Sequence, residues 1–238
     1  MNVITLDFET YYDTEHSLAH LSAVQYVHSP LFKVWGVGIK MNDEPTEWFG
    51  AEECADAIAQ IQWAEAAVVC HNTLFDAYIL TQYYKVYPKY YYDTAAMARG
   101  LAPNESSSLK ATCERMFPND KTMRKGDELV NAKGIFDLPP DIEDQIASYC
   151  IQDVDLTYAL YNVMQPNYPQ SELDLIDLTC RMYVEPKIFL NRTLLQAHKN
   201  DIATNTHILI ADSGLSRAQL ASQKQFAEHL ESLNITVP

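Results

Sequence analysis

Val3-Ile4-Thr5-Leu6-Asp7-Phe8-Glu9-Thr10 decides how this chain is read. The run is apolar and β-branched up to its last few positions, the composition of a buried strand. Side chains alternate along a strand, so Asp7 and Glu9 project from the same face. Two like charges side by side repel, and a fold seldom places them so for stability alone. A divalent cation removes the conflict and makes the pair a site for a hard ion. The structural alternative is a pair of acids marking a strand end beside an ordinary turn.

Two later segments bear on that choice. Cys70-His71-Asn72-Thr73-Leu74-Phe75-Asp76 follows the apolar stretch Ala66-Ala67-Val68-Val69. Tyr149-Cys150-Ile151-Gln152-Asp153 lies inside a long helical pattern, and its Tyr149 and Asp153, four apart, share a helix face. The chain therefore offers Asp7, Glu9, Asp76 and Asp153, with Tyr149 one turn before the last. In order and local context these residues resemble the four-carboxylate (DEDD) 3′–5′ exonucleases. The third motif, Tyr-x-x-x-Asp, is that of the tyrosine subgroup; the histidine subgroup has its histidine where this chain has Ser148.

Composition sets bounds. A chain of 238 residues, 47% hydrophobic, has material for one large domain or a domain plus part of another. No run approaches the ~20 apolar residues of a membrane helix, and the first residues read as a strand rather than a secretory signal. Five scattered cysteines without a C-x-x-C pair argue against a zinc knuckle or a disulfide framework and fit a reducing, intracellular setting. A net charge of −15 argues against wholesale nucleic-acid binding, although a metal-using nuclease keeps acids in its site. The basic residues are uneven: Lys110, Arg115, Lys121, Arg124, Lys125 and Lys133 share one stretch. Its centre, Lys121-Thr122-Met123-Arg124-Lys125-Gly126, reads as a phosphate contact or as a solvated loop.

The patterns predict strands at about 2–8, 23–27, 33–40, 45–49, 68–70 and 90–92, and a helix over 51–65. Asn72 reads as the cap of a helix running through Tyr83-Tyr84. Further helices are expected from Asp93-Thr94 to Arg99, after Asn104-Glu105-Ser106-Ser107 through Phe117, and from Leu138-Pro139-Pro140-Asp141 through the Tyr149–Asp153 segment. On the last, Ile142, Ile146, Cys150, Val154 and Tyr158 form an apolar stripe, with Tyr149 and Asp153 at its edge. Strands followed by packed helices give an α/β layered fold. Pro166-Asn167-Tyr168-Pro169 predicts a boundary between residues 1–168 and 169–238. Beyond it come a helix over 171–185, a short strand at Ile188-Phe189-Leu190, a helix from Asn191 or Thr193 to Asp212, and a final helical stretch from Ser216.

Residues 1–168 resemble the proofreading exonuclease domain of bacteriophage-like family-A DNA polymerases. Residues 169–238 resemble the start, with thumb-like helices, of the polymerase module. The resemblance implies an α/β, ribonuclease H-like mixed sheet of about five strands flanked by helices, with a helical C-terminal extension. It implies two divalent ions, Mg²⁺ or Mn²⁺, roughly 4 Å apart. Asp7 would bridge them, Glu9 and Asp153 would complete the nucleophile-side ion, and Asp76 would hold the other. Tyr149 would orient the attacking water. Thr10, Asn72 and Phe75 match positions that hold the terminal nucleotide, and Arg124 and Lys125 are candidate phosphate contacts. The expected partner is a single-stranded DNA 3′ end in the cytoplasm of a bacterial host. Because no palm, fingers or His-Asp-Glu motif occurs, the resemblance also implies a truncated or split polymerase, whose other half is a separate polypeptide. The competing readings are a ribonuclease D-like exoribonuclease and a non-catalytic subunit docking a polymerase. For the nearby residues structural roles are expected: Asp93 in a turn, Asp155 on a solvated helix face, His71 packed, and Trp35, Trp48 and Trp63 in packing.

Overall fold

A computed structural model of the chain describes residues 1–125 and 132–236; Gly126, in the basic segment, and Val237-Pro238 lie outside them. The sheet has five strands in the order β3-β2-β1-β4-β5. They are β1 (Asn2–Thr10), β2 (Val34–Met41), β3 (Glu47–Gly50), β4 (Ala66–Cys70) and β5 (Tyr90–Asp93). β1 is central: it pairs antiparallel with β2 and parallel with β4, β3 continues antiparallel and β5 parallel. This is the expected mixed, ribonuclease H-like sheet flanked by helices.

The helices of the first unit are α1 (Ala23–Val27), α2 (Cys54–Ala59), α3 (Leu74–Tyr78), α4 (Thr94–Leu101), α5 (Leu109–Met116), α6 (Pro140–Met164) and α7 (Gln170–Val184). The two-residue alternation of β1 sorts its side chains between two layers. Ile4, Leu6 and Phe8 pack in one core with Tyr26, Val27, Ile58, Ala77, Ile79, Leu80, Cys180 and Val184. On the opposite face Ala67, Val69 and Tyr92 pack against Met97, Leu109, Cys113, Leu156, Leu160 and Met164, joined by Val3. Asp7 and Glu9 belong to this second face, where α6 crosses β1 and β2.

The structure corrects several local expectations. Residues 23–27 are α1, not a strand. Ser22 Oγ accepts from the Gln25 N–H (3.3 Å) and Gln25 Oε1 accepts from the Ser22 N–H (3.1 Å), a capping box that overrides the valine-rich composition. The helix expected over 51–65 is confined to α2, followed by a 3-10 turn at Trp63–Glu65. The cap of α3 is Thr73 rather than Asn72, and its hydroxyl is spent on the carbonyls of Tyr92 (2.6 Å) and Cys70 (3.2 Å). Asn72 instead takes the left-handed conformation, φ 74°, that asparagine tolerates in a turn. Ile188-Phe189-Leu190 forms no strand and is exposed; an isolated segment with no ladder partner does not hold one.

The chain divides into compact units at residues 1–187 and 188–238, later than the predicted break. α7 accounts for the difference. Leu173, Cys180 and Val184 are buried in the two cores. At the sheet edge the Tyr91 N–H donates to Asp177 (2.8 Å) and the Tyr91 hydroxyl donates to Glu185 (2.9 Å), so α7 covers β5 and satisfies its edge. The second unit contains α8 (Arg192–Ser213), α9 (Arg217–Ala221) and α10 (Gln223–Ser232). Asn191 caps α8 and Gly214, at φ 68°, ends it. α8 buries none of its residues.

Among the described residues, no helix is long and apolar enough to cross a membrane, and all five cysteines are free and buried.

Candidate active site

Asp7 pairs in register with Gly38 of β2. A Cβ at Gly38 would lie 2.9 Å from Cys150 Sγ and 3.1 Å from Val154 Cγ2. The missing side chain therefore lets α6 approach the sheet at the level of the β1 acids. The Cys150 thiol donates to the Asp7 carbonyl (3.3 Å), and its sulfur is 3.8 Å from Asp7 Oδ2. Ligand atoms of Asp7, Glu9 and Cys150 lie within 4.8 Å of one another. α6 also delivers Tyr149 and Asp153.

Asp76 arrives from the other side. The parallel pairing of β1 with β4 ends at Thr5 and Val69, because β4 turns into α3. Phe8, further along β1, donates its N–H to Asp76 Oδ1 instead (3.0 Å, buried). A side chain from α3 thus completes the backbone accounting of β1 and is fixed beside Asp7. The four carboxylates, drawn from β1, α3 and α6, converge at one place.

Their electrostatics follow from that crowding. Burial, then the charge of Asp153, pushes Asp7 up to about 7. Burial, then Asp7 and Asp153, raises Glu9 well above its ordinary value. Burial and Asp7 do the same to Asp76. Burial raises Asp153 as well, held back by Lys125. Asp153 Oδ2 pairs with the Lys125 ammonium, while Asp153 Oδ1 is sealed from solvent with no hydrogen-bond partner. An orphaned carboxylate oxygen on an acid whose charge acts on other desolvated carboxylates, all hard oxygen donors, is the arrangement a hard divalent cation relieves. The residues present fit such ions. Burial also raises the Tyr149 hydroxyl, so it remains protonated at neutral pH.

The other sequence candidates are near but differently employed. Thr10 Oγ1 is 2.8 Å from the Tyr26 hydroxyl, and the Phe75 ring lies 5.9 Å from that of Tyr26. Asn72 donates its backbone N–H to Asp93 (3.0 Å). Arg124 donates to the Pro118 carbonyl (3.0 Å), and its own carbonyl accepts from Gln152 (3.1 Å). Lys125 is inside the carboxylate cluster, over the Tyr149 ring at 4.6 Å. Asp93 caps α4, accepting from Ala95 and Ala96. Asp155 bonds Lys40 and Thr46 at the surface. His71 is held by Thr94 (2.8 Å) and the Ser107 carbonyl (2.9 Å). Sequence reasoning missed Gly38, Cys150 and Gln152 as site-builders. Cys150 stood in the apolar stripe of α6, and nothing local marks Gly38 as the point of closest approach.

Residues 54–168 match a family model described as 3′–5′ exonuclease. This segment is similar to 3′–5′ exonuclease domains. It includes Asp76, Tyr149 and Asp153 and begins after Asp7 and Glu9. No curated protein matches the chain. Among solved structures, the family B DNA polymerase of Pyrobaculum calidifontis has a TM-score of 0.50 at 17% identity, over 70% of this chain and 25% of its own. Trypanosoma brucei RNase D in complex with RNA has a TM-score of 0.55 at 15% identity, over 77% of this chain and 62% of its own. Brucella melitensis NrnC has a TM-score of 0.51 at 14% identity, over 76% of this chain and 81% of its own. The chain thus spans less than two thirds of the polymerase and of RNase D, and at these identities the similarity is one of fold.

Proposed function

We propose that this chain is a metal-dependent 3′–5′ exodeoxyribonuclease that removes nucleotides from single-stranded or frayed DNA 3′ ends. The observation that carries the reading is the convergence of four desolvated carboxylates. Two of them, Asp7 and Glu9, lie outside the matched exonuclease segment and reach the site through the sheet. Asp7, Glu9, Asp76 and Asp153 would hold Mg²⁺ or Mn²⁺. Such ions supply a water nucleophile at neutral pH and charge neutralisation at the departing 3′ oxygen.

The chain's own residues do the rest. The Phe8 N–H keeps Asp76 aimed at Asp7, and Gly38 lets α6 set Tyr149 and Asp153 at the right height. Tyr149, protonated, orients the attacking water through its hydroxyl and does not take its proton. Water adds to the terminal phosphorus, the P–O3′ bond breaks, and a 5′-mononucleotide leaves. Thr10, Asn72 and Phe75 border the terminal nucleotide. Arg124, next to Lys125 in sequence, would meet the backbone of the strand.

In the wider reading the domain proofreads with a family-A polymerase as its partner, in a bacterial cytoplasm infected by a phage. Leu194, Leu195, Ile202, Ile208 and Leu209 on α8 are exposed and suit a helix that packs on such a partner. A second reading, a ribonuclease D-like exoribonuclease, draws support from the fold similarity to Trypanosoma brucei RNase D. Incubation of the purified chain with 5′-labelled single-stranded DNA and RNA, with Mg²⁺, Mn²⁺ or EDTA, separates the two. A ladder of shortening DNA that vanishes in EDTA is expected, with matched duplex cut more slowly because its end must unpair. Cleavage of RNA alone favours the second reading. Immediate release of the 5′ label means the polarity is wrong, and no cleavage leaves the docking subunit.

A further inference from the structure

Among the described residues, the cation inside the carboxylate cluster is Lys125. Its ammonium pairs with Asp153 Oδ2 and lies 4.6 Å from the centre of the Tyr149 ring. Only 22% of its side chain is exposed. Its charge also acts on Asp7 and Glu9. The backbone beside it is pinned to α6, because Gln152 Nε2 donates to the Arg124 carbonyl (3.1 Å). Lys125 is therefore a fixed anchor carrying a flexible four-carbon stem with a point charge at its tip.

That placement contains a conflict. Asp153 Oδ1 is free for a divalent cation, but an ammonium on Oδ2 of the same carboxylate leaves two cations that repel across a single group. When the site loads, that repulsion drives the ammonium off Oδ2. The anchor does not move with it, so the tip can travel only about the length of its own stem, within the cluster's mouth. A substrate strand brings one anionic partner there, a non-bridging oxygen of the terminal phosphodiester. That oxygen gains charge as water adds to phosphorus.

We propose that Lys125 is a two-position cation: it neutralises Asp153 in the metal-free protein and moves to the scissile phosphate when metal and DNA are bound. In the first position it competes with the metal. In the second it donates a charge-assisted hydrogen bond to a non-bridging oxygen, transfers no proton, and is a catalytic residue. This deepens the exonuclease reading and rests on it. A purely structural role for the ion pair makes the opposite forecast, because losing a structural contact would loosen the site and weaken metal binding.

The test uses the full chain with Lys125→Met, which keeps the stem and removes the charge. Two quantities are read: Mn²⁺ affinity without DNA, by electron paramagnetic resonance, and the single-turnover rate on 5′-labelled single-stranded DNA at saturating Mn²⁺. Loss of a competing charge-assisted hydrogen bond should tighten Mn²⁺ binding by about ten- to a hundredfold. The saturated rate should fall by roughly a hundredfold. Lys125→Arg, which retains charge, should recover a large part of that rate. Mn²⁺ affinity that is unchanged or weaker in Lys125→Met overturns the proposal, as does an unchanged saturated rate. If circular dichroism shows that the methionine variant does not fold, Lys125→Gln carries the same expectations. A wild-type chain that binds Mn²⁺ without cutting DNA removes the exonuclease reading and the phosphate position with it, while the affinity comparison still decides the competition at Asp153.

Discussion

Asp7→Asn should flatten the pH dependence of stability in the metal-free protein. Burial, and next the charge of Asp153, lift the Asp7 carboxyl from an ordinary 3.8 to about 7. The folded pKa lies above the unfolded one, so the folded state holds more protons between those values. Stability is therefore greatest below the unfolded carboxylate range and is lost as pH rises through about 7. At about 1.4 kcal/mol per pKa unit, full ionisation of this one group costs the fold about 4 kcal/mol. Roughly 2–3 kcal/mol of that falls between pH 5 and pH 8, since the unfolded carboxyl is largely ionised by pH 5 already. For a chain of this size the change corresponds to roughly 5–10 °C in Tm.

Glu9 and Asp76 shift in the same direction. Burial holds His16 and His71 below the usual imidazole range, so they lose stability as pH falls and oppose the trend. The informative quantity is thus the difference between wild type and Asp7→Asn. Thermal melts in EDTA from pH 5 to pH 8 should show wild type losing ground to the variant as pH rises. Saturating Mg²⁺ should restore the wild type selectively, because it binds the folded carboxylate cluster. A difference that stays level from pH 5 to pH 8 in EDTA refutes the argument that Asp7 is desolvated among like charges.

Gly38→Ala places a methyl against Cys150 and Val154. It should cost about 1–3 kcal/mol in denaturant melts, and slow cleavage by lifting Tyr149 and Asp153 away from β1. Asp93→Ala removes the acceptor for the N–H groups of Asn72, Ala95 and Ala96 and should cost about 1–2 kcal/mol by urea denaturation. Asp153→Asn should slow cleavage of labelled DNA by at least about a hundredfold, whereas Asp155→Ala, which loses only surface bonds to Lys40 and Thr46, should cut at nearly the wild-type rate. Equal losses at the two positions would mean the wrong aspartate has been placed in the site.

The parts of this protein legible in the sequence are those written within a few residues. A β-branched run ending in Asp7 and Glu9 is a strand with a charged face, and Tyr149 and Asp153 share a helix face because four residues complete about one turn. Ser22 and Gln25 carried a readable capping box, which the valines around them masked. What the tertiary structure decided are contacts between distant positions. The Phe8 amide meets Asp76 across 68 residues, and Cys150 meets Asp7 across 143. The helix at 170–184 joins the first unit because Tyr91 bonds Asp177 and Glu185. Lys125, by sequence a phosphate contact on a basic loop, is paired with Asp153. Short-range geometry follows from backbone periodicity, which every residue obeys. The partner of a buried charge depends on which distant side chain the packed layers bring within hydrogen-bonding distance, and no local pattern carries that information.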